Sequence, residues 1–574
     1  MSCLPRAGVD PHRCRNSALL ALSFASLSLS ACGGPQVPPA SAPTGPGAAY
    51  KQACAAAQEK RAADIDAKKY MPTELMVHQW PGREIDARKV SFLKEADLAT
   101  ALGAEVKAGE PRVRTVLVLA RGGTGKSRLA ESIAAQACGK LPFFRMDLNL
   151  DASPRLEKAI AGQNVLAAVL AEQLGQPNAA QAEAFLAATL GAQPWAVVLD
   201  SLDETPLLQR DALAKQIDDL VTRVAPQARA LVMTRPPVFS SNYGINTVDA
   251  RLELPNLTCE ESQAALARNV TDAEERKSLD HFLEHYGLAR QVTSFDRCYY
   301  PHLATHRDVQ VVQRLAKNAA IGQNAQDFKD FQNSRAQVYT YFVTAQLLRD
   351  LQGVELKPSE AISLVDKMVA ALKPDSGQRN LGFKLEDCVA VSPIAELGAK
   401  QVACERLLQS TLFRPAGAKL DGGMQEFRFD NQSLGDLFLA RWAAHSLVGA
   451  DGKVDCRGVE SKAMMLESNE VGGFLVGQPG AQSCLLEISQ TMCKHIGLPQ
   501  HIFEQFDQGL PSGPPRAKIL KEIQDDLKEL PKVDACVAQL YEGLSKTVEM
   551  PVVAPQPAAT VPAKPAEPKG KVRK

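Results

Sequence analysis

The sequence predicts an α/β fold, a parallel sheet with helices on both faces, followed by a mostly helical second half. Three observations lead there. Between residues 113 and about 255, short apolar, β-branched runs alternate with helical stretches, the texture of repeated strand–helix units. A glycine-rich string follows the first of these runs directly, where a strand hands over to a helix. After about residue 255 helical periodicity takes over, so the sheet belongs to one unit of a larger chain.

At 574 residues the chain exceeds what one core supports, and three or four folded units are expected. Apolar residues at 45% and charged residues at 23% are ordinary for a soluble globular protein. Sixty-five basic and 65 acidic side chains cancel. Nucleic acid is therefore not expected as an obligatory partner, since its binders carry a basic excess or stripe. Aromatics at 5% leave little for stacking on single strands.

Arg13 and Arg15 precede an apolar run, Ala18 to Leu29, that is too short to span a bilayer. A positive flank before such a core has the layout of an export signal, here residues 1–31. The run ends Leu29-Ser30-Ala31-Cys32-Gly33 and resembles the lipobox of bacterial lipoproteins. The resemblance implies cleavage before Cys32, a lipid thioether on that residue and a membrane-anchored, extracytoplasmic protein. If the run is instead a chance apolar start, the chain is cytoplasmic. Gly33 to Ala49 is rich in Gly, Pro, Ala and Ser, and a flexible tether is expected over 32–75. No later segment holds 18 consecutive apolar residues, so no second span is expected. Ten cysteines follow Cys32 singly, with no CxxC pair. Their number permits disulfides, but the spacing shows neither a framework nor a zinc site and leaves the compartment open.

Residues 50–112 read as polar and helical with a break at Trp80-Pro81-Gly82, the folded part beginning at 76. Thr115 to Leu119 is a continuous β-branched run, the pattern of a strand buried on both faces. Leu141 to Leu148, Trp195 to Asp200 and Ala228 to Thr234 read as three further strands. Helical sequence separates them at Ser127 to Ala137, Ala161 to Leu174 and Gln209 to Val224. Beyond 255, helical periodicity marks Cys259 to Asn269, Ala273 to Tyr286, Arg307 to Asn318, Ser334 to Asp350 and Ser359 to Leu372. Leu412 to Phe429 alternates like a hairpin around Asp421-Gly422-Gly423, and a helix follows over Leu434 to Leu447. A helical region at 448–550 precedes a Pro/Ala/Lys-rich basic tail, 551–574, expected to be disordered.

The string after the first strand is Ala120-Arg121-Gly122-Gly123-Thr124-Gly125-Lys126-Ser127. It matches the phosphate-binding P-loop, with Ala in place of the first Gly. Such a loop wraps a phosphate with backbone N–H groups, so side chains must be absent where Gly122, Gly123 and Gly125 stand. Lys126 is expected at the β- and γ-phosphates and Ser127 at Mg2+, with the following helix adding its positive dipole end. The expected ligand is a nucleoside triphosphate with Mg2+, ATP favoured over GTP. Asp200, ending a buried strand, is placed for the second magnesium contact. Asp203 and Glu204 just beyond are candidates to polarise the attacking water, Glu204 first. Thr234 and Arg235, ending the next strand, are candidates to sense the γ-phosphate and steady transition-state charge.

The P-loop, the acidic string Asp200-Ser201-Leu202-Asp203-Glu204 and Thr234-Arg235-Pro236 together resemble the NACHT branch of the STAND signalling ATPases. The resemblance covers about residues 110–447. It implies an NTPase domain at 113–255, a helical domain at 256–345 and a winged-helix domain at 346–447. It also implies a slow switch: ADP locks the domains, and exchange for ATP opens them, often with homo-oligomerisation and a protein partner. The family's phosphate-contacting histidine, in Phe-x-His, falls at Asn431 in this chain, and Gly435-Asp436 stand where a Gln-Glu pair is expected. Asn431 keeps a hydrogen-bond donor but loses a titratable group. Two other readings stay open: a nucleotide-binding scaffold without appreciable hydrolysis, and a mechanical ATPase, for which no trans-acting arginine finger or substrate loop is evident. An exported domain also meets little ATP. Either the signal reading fails, or nucleotide is bound before or apart from export, or the loop takes another phosphate ligand.

Overall fold

The computed structural model describes most residues between 58 and 547, with its larger gaps at 65–73, 83–90, 104–112, 236–242, 287–291, 321–333, 375–380 and 417–424. Cys32, the export signal, most of the tether and the basic tail lie outside the described residues, as do Pro236 and the Asp421-Gly422-Gly423 turn.

The first unit is a seven-stranded sheet: β1 (Glu74–Gln79), β2 (Ser91–Lys94), β3 (Thr115–Ala120), β4 (Phe143–Asp147), β5 (Trp195–Asp200), β6 (Ala228–Thr234) and β7 (Val248–Leu254), in the order β2-β1-β7-β3-β6-β5-β4. The five strands from β7 to β4 run parallel. Burial on both faces explains the apolar runs: Val116 and Val118 of β3 enter one core while Leu117 and Leu119 enter the other. The helix Lys126–Ala137 packs Leu129, Ala130 and Ile133 on the first face. Helices Val165–Gln173 and Leu207–Asp219 cover the second. This is the doubly covered parallel sheet that the strand–helix alternation implies.

Two expectations need correction. Residues 76–112 are not simply helical: β1 and β2 extend the sheet antiparallel beyond β7, and among the described residues of this stretch only Glu95–Gly103 is helix. Past 255 the strand pair expected over 412–429 is present, but three further strands, at 292–294, 297–299 and 382–383, were not expected. β8 (Val292–Ser294) and β9 (Arg297–Tyr299) form a small hairpin. β10 (Gly382–Phe383), β11 (Phe413–Pro415) and β12 (Phe427–Phe429) form a three-stranded antiparallel sheet with β12 in the centre. With helices Pro358–Ala371, Leu385–Val391 and Leu397–Leu408, its order helix–strand–helix–helix–strand–strand is that of a winged helix.

The helical half behaves as one body. A single core runs from Leu257 to Leu544, so the C-terminal region after 447 packs on the preceding helices rather than standing apart. Four disulfides staple it: Cys259–Cys298, Cys388–Cys404, Cys456–Cys484 and Cys493–Cys536. Among the described residues no helix is long and apolar enough to cross a membrane.

Candidate nucleotide site

The loop after β3 turns on glycine. Gly123 and Gly125 sit at φ +76° and +107°, where a side chain would be strained. At Gly122 the constraint is space, since a Cβ there would lie 2.5 Å from Glu470 Oε1 and 2.9 Å from Arg235 Nη2. Lys126 Nζ curls back over the loop to the carbonyls of Ala120 (3.2 Å) and Arg121 (3.4 Å). The Ser127 hydroxyl donates to Asp200 Oδ2 across 3.2 Å. A serine hydroxyl and a carboxylate at this separation, beside a loop that must lack side chains, fit a magnesium–phosphate group. Ser201, just after Asp200, adopts a left-handed backbone at φ 67°, a rare conformation for a residue with a Cβ. Arg145 also reaches Asp200 Oδ2, at 2.8 Å.

The neighbouring acids Asp203 and Glu204 have different surroundings. Asp203 is 1% exposed and engaged by the tip of β6: Arg235 N and Thr234 Oγ1 donate to Oδ1, and Arg235 Nε lies 3.1 Å from Oδ2. Glu204 instead lines the cavity in front of the loop. Burial, with Asp203 and Asp147 nearby, pushes its carboxyl up to about 7 against the opposing pull of Arg235 and Lys126. A carboxyl tuned toward neutrality and facing a phosphate loop is a fit general base.

Arg235 meets the cavity but is heavily engaged. Its Nη1 contacts Asp436 Oδ2 at 2.5 Å, besides the Asp203 pair. Burial opposes its charge, and Asp436, Glu470 and Asp203 outweigh that effect. Glu470 belongs to the helix Asn469–Val476 in the C-terminal region. Burial pushes its carboxyl up, but Arg235 and Arg335 hold it below the usual range. Arg335 lies 3.7 Å from Glu470 and 3.0 Å from Asp308, whose Oδ1 also accepts from the Tyr339 hydroxyl at 2.8 Å. The tip of the NTPase sheet is thus joined to three parts of the helical body by buried charge. Arg121 adds a second junction, an ion pair with Glu504 on the helix Pro499–Gly509.

A cavity of about 520 Å³ opens between the loop, the helix His306–Ala320 and the strand pair β11–β12, a volume suited to a nucleotide. It gathers Gly122 to Ser127, Glu204, Arg235 and Asn431; Ala120, Arg121, Asp200, Asp203 and Thr234 do not line it, though Asp200 touches the lining residue Ser127. Asn431 caps the helix Gln432–Ser446 by accepting from Leu434 N at 3.2 Å, while its Nδ2 is buried without a partner among the described residues. The expectations missed Asp436 as the partner of Arg235, Glu470, Glu504, and the cavity cations Arg268, Arg307, Arg414 and Arg428. Asp436 lies 201 positions from Arg235 and Glu504 lies 383 from Arg121 (436 − 235 and 504 − 121), and no local pattern marks them.

No protein-family profile matches the chain, and no curated protein matches it. Solved structures give faint likenesses. Cdc6p of Pyrobaculum aerophilum is 11% identical at a TM-score of 0.28, over 59% of this chain and 90% of its own. The Aeropyrum pernix ORC1 protein, solved in complex with DNA, is 12% identical at 0.27, over 61% and 91%. A single-substitution variant of Thermotoga maritima RuvB is 14% identical at 0.25, over 58% and 90%. These values carry no functional argument. The P-loop NTPase architecture rests on the phosphate loop after β3 and on the strand order, with β6 between β3 and β5.

Proposed function

We propose that the chain binds a nucleoside triphosphate with Mg2+ in this cavity and works as a slow NACHT-like switch, with ATP and ADP favouring different packings of the sheet unit and the helical body. The observation that carries this reading is the joint wall of the cavity: P-loop and Glu204 on one side, the helical body on the other. A ligand held by both units biases their packing through differential contacts. Lys126 binds the β- and γ-phosphates, Ser127 and Asp200 hold the metal, and Glu204 takes the proton of the attacking water. Mg2+ supplies neutralisation of developing phosphate charge when bound. The Arg235–Asp436 contact with Glu470 behind it is the closed packing, and the nucleotide's terminal phosphate competes for Arg235.

One observation favours a second reading, a nucleotide-binding scaffold without appreciable turnover: Arg145 places a cation on the proposed magnesium carboxylate. Glu204→Gln separates the two. With binding measured by calorimetry for ATP and GTP and turnover by phosphate release, the switch reading expects intact binding and turnover reduced about a hundredfold or more. Equal, barely detectable release from both proteins favours the scaffold. Robust release from the variant removes Glu204 as the base.

The four disulfides support folding in an oxidising compartment and with it export; lipid anchoring through Cys32 is proposed from the Leu29-Ser30-Ala31-Cys32 string. Cys32→Ser is expected to move the protein from the membrane fraction to the soluble fraction. A wild-type chain already soluble would overturn the anchor.

A further inference from the structure

The winged-helix sheet brings two arginines side by side to the cavity. Arg414 of β11 and Arg428 of β12 are direct partners across the antiparallel pair, and both line the cavity. Like charges directly opposite each other destabilise a strand pair, and these strands are only three residues long. Glu426 offsets part of this, lying 3.1 Å from Arg428 Nε. Arg414 has no carboxylate partner among the described residues. Two cations held side by side over a phosphate loop are readily explained by an anion between them.

The position of Arg428 says which part of the anion. With its carboxamide oriented to satisfy both neighbours, Asn149 donates to the Glu204 carbonyl and accepts from Arg428 Nη1, each at 3.3 Å. Arg428 therefore stands two hydrogen bonds from the Glu204 backbone, over the side of the loop where the water-activating carboxyl lies. Lys126 approaches from the loop itself, and Arg235 is shared with Asp203 and Asp436, so the phosphate draws on it only in competition with them. A terminal phosphate in this corner needs a further cation, and the winged-helix sheet offers two.

We propose that Arg414 and Arg428 form a clamp for the γ-phosphate, supplied in the same chain by the winged-helix sheet, so that this sheet tells triphosphate from diphosphate. The inference rests on the nucleotide reading above. A triphosphate draws the pair together by screening its repulsion; a diphosphate leaves it repelling, which couples the hairpin's position to the nucleotide.

The test is calorimetric titration of the full chain with Mg·ATPγS and Mg·ADP. Arg414→Ala/Arg428→Ala is expected to weaken ATPγS binding by about tenfold to a hundredfold, as for lost charge-assisted hydrogen bonds, while ADP affinity stays within about twofold. Glu426→Gln, which releases Arg428 from its acid, is expected to tighten ATPγS a few-fold and leave ADP unchanged. This second variant keeps the test open should the double variant fold poorly. Parallel losses for both nucleotides would overturn the clamp and leave a general attraction for anions, and unchanged affinities in both variants would remove the pair from the site. A wild-type chain that binds neither nucleotide would sink the underlying reading as well.

Discussion

The sheet unit up to Leu254 and the helical body from Leu257 onward keep their order by different means. The sheet has two cores, one on each face, built from residues close in sequence to the strands they cover. The helical body has one core spread over nearly 290 positions (544 − 257 = 287) and four disulfides. The nucleotide motifs belong to the first unit, yet the carboxylates that hold its arginines, Asp436, Glu470 and Glu504, come from the second. The chemistry is written locally and its restraint is supplied at long range.

The largest effect is expected where the two units meet. Asp436→Ala leaves the Arg235 guanidinium buried with a partner removed, a loss that typically costs about 3–5 kcal/mol. Urea unfolding of the variant measures it. A loss below about 1 kcal/mol would mean that Asp203 and Glu470 suffice, and the junction between the units would then be weaker than the geometry indicates.

Next comes a test of the disulfides as the helical body's own support. Replacing Cys388 and Cys404 with serine opens a bridge between positions 16 apart and is expected to cost about 3 kcal/mol. Hydrogen exchange should show faster opening of β10 and β12, with β3 and β5 unchanged. Uniform acceleration across both units would erase the distinction drawn between them.

The contrast between the units also explains what could be read from sequence. The P-loop was legible because a phosphate cradle needs its glycines, lysine and serine contiguous, and β3, β5 and β6 were legible because burial on both faces demands unbroken apolar runs. The strands β1 and β2 were missed. β1 carries Glu74, His78 and Gln79 on its exposed side, so polarity hid it among helical sequence. β7 alternates Val248, Ala250, Leu252 and Leu254 inward at the edge of the expected domain, a period-2 signal that the residues do carry. Asp203 and Glu204 were seen as a pair, but only the surroundings separate the ion-paired acid from the one facing the cavity. The disulfide pairing was unreadable because an even number of single cysteines, with no paired motif among them, fixes no partner.

A smaller effect follows from Glu204. Its carboxyl is raised to about 7 by burial and by Asp203, against about 4.3 when unfolded. A raised carboxyl favours the protonated folded form, so its contribution to stability is full below about pH 4.3 and is lost as pH climbs through about 7. Glu204→Gln should therefore gain on the wild type by roughly 1–3 kcal/mol between about pH 5 and pH 8. A constant difference across that range would show that the site does not tune this group. In the same window, wild-type turnover should rise with pH as the base is freed.

Every role proposed for the cavity depends on a nucleoside triphosphate binding at the P-loop, held by Lys126. Equilibrium titration of the full chain with Mg·ATP, alongside Lys126→Ala, tests it most directly. Saturable one-to-one binding is expected in the wild type, with a loss of about a hundredfold or more in the variant. No binding by the wild type, or equal affinity in both proteins, would contradict it.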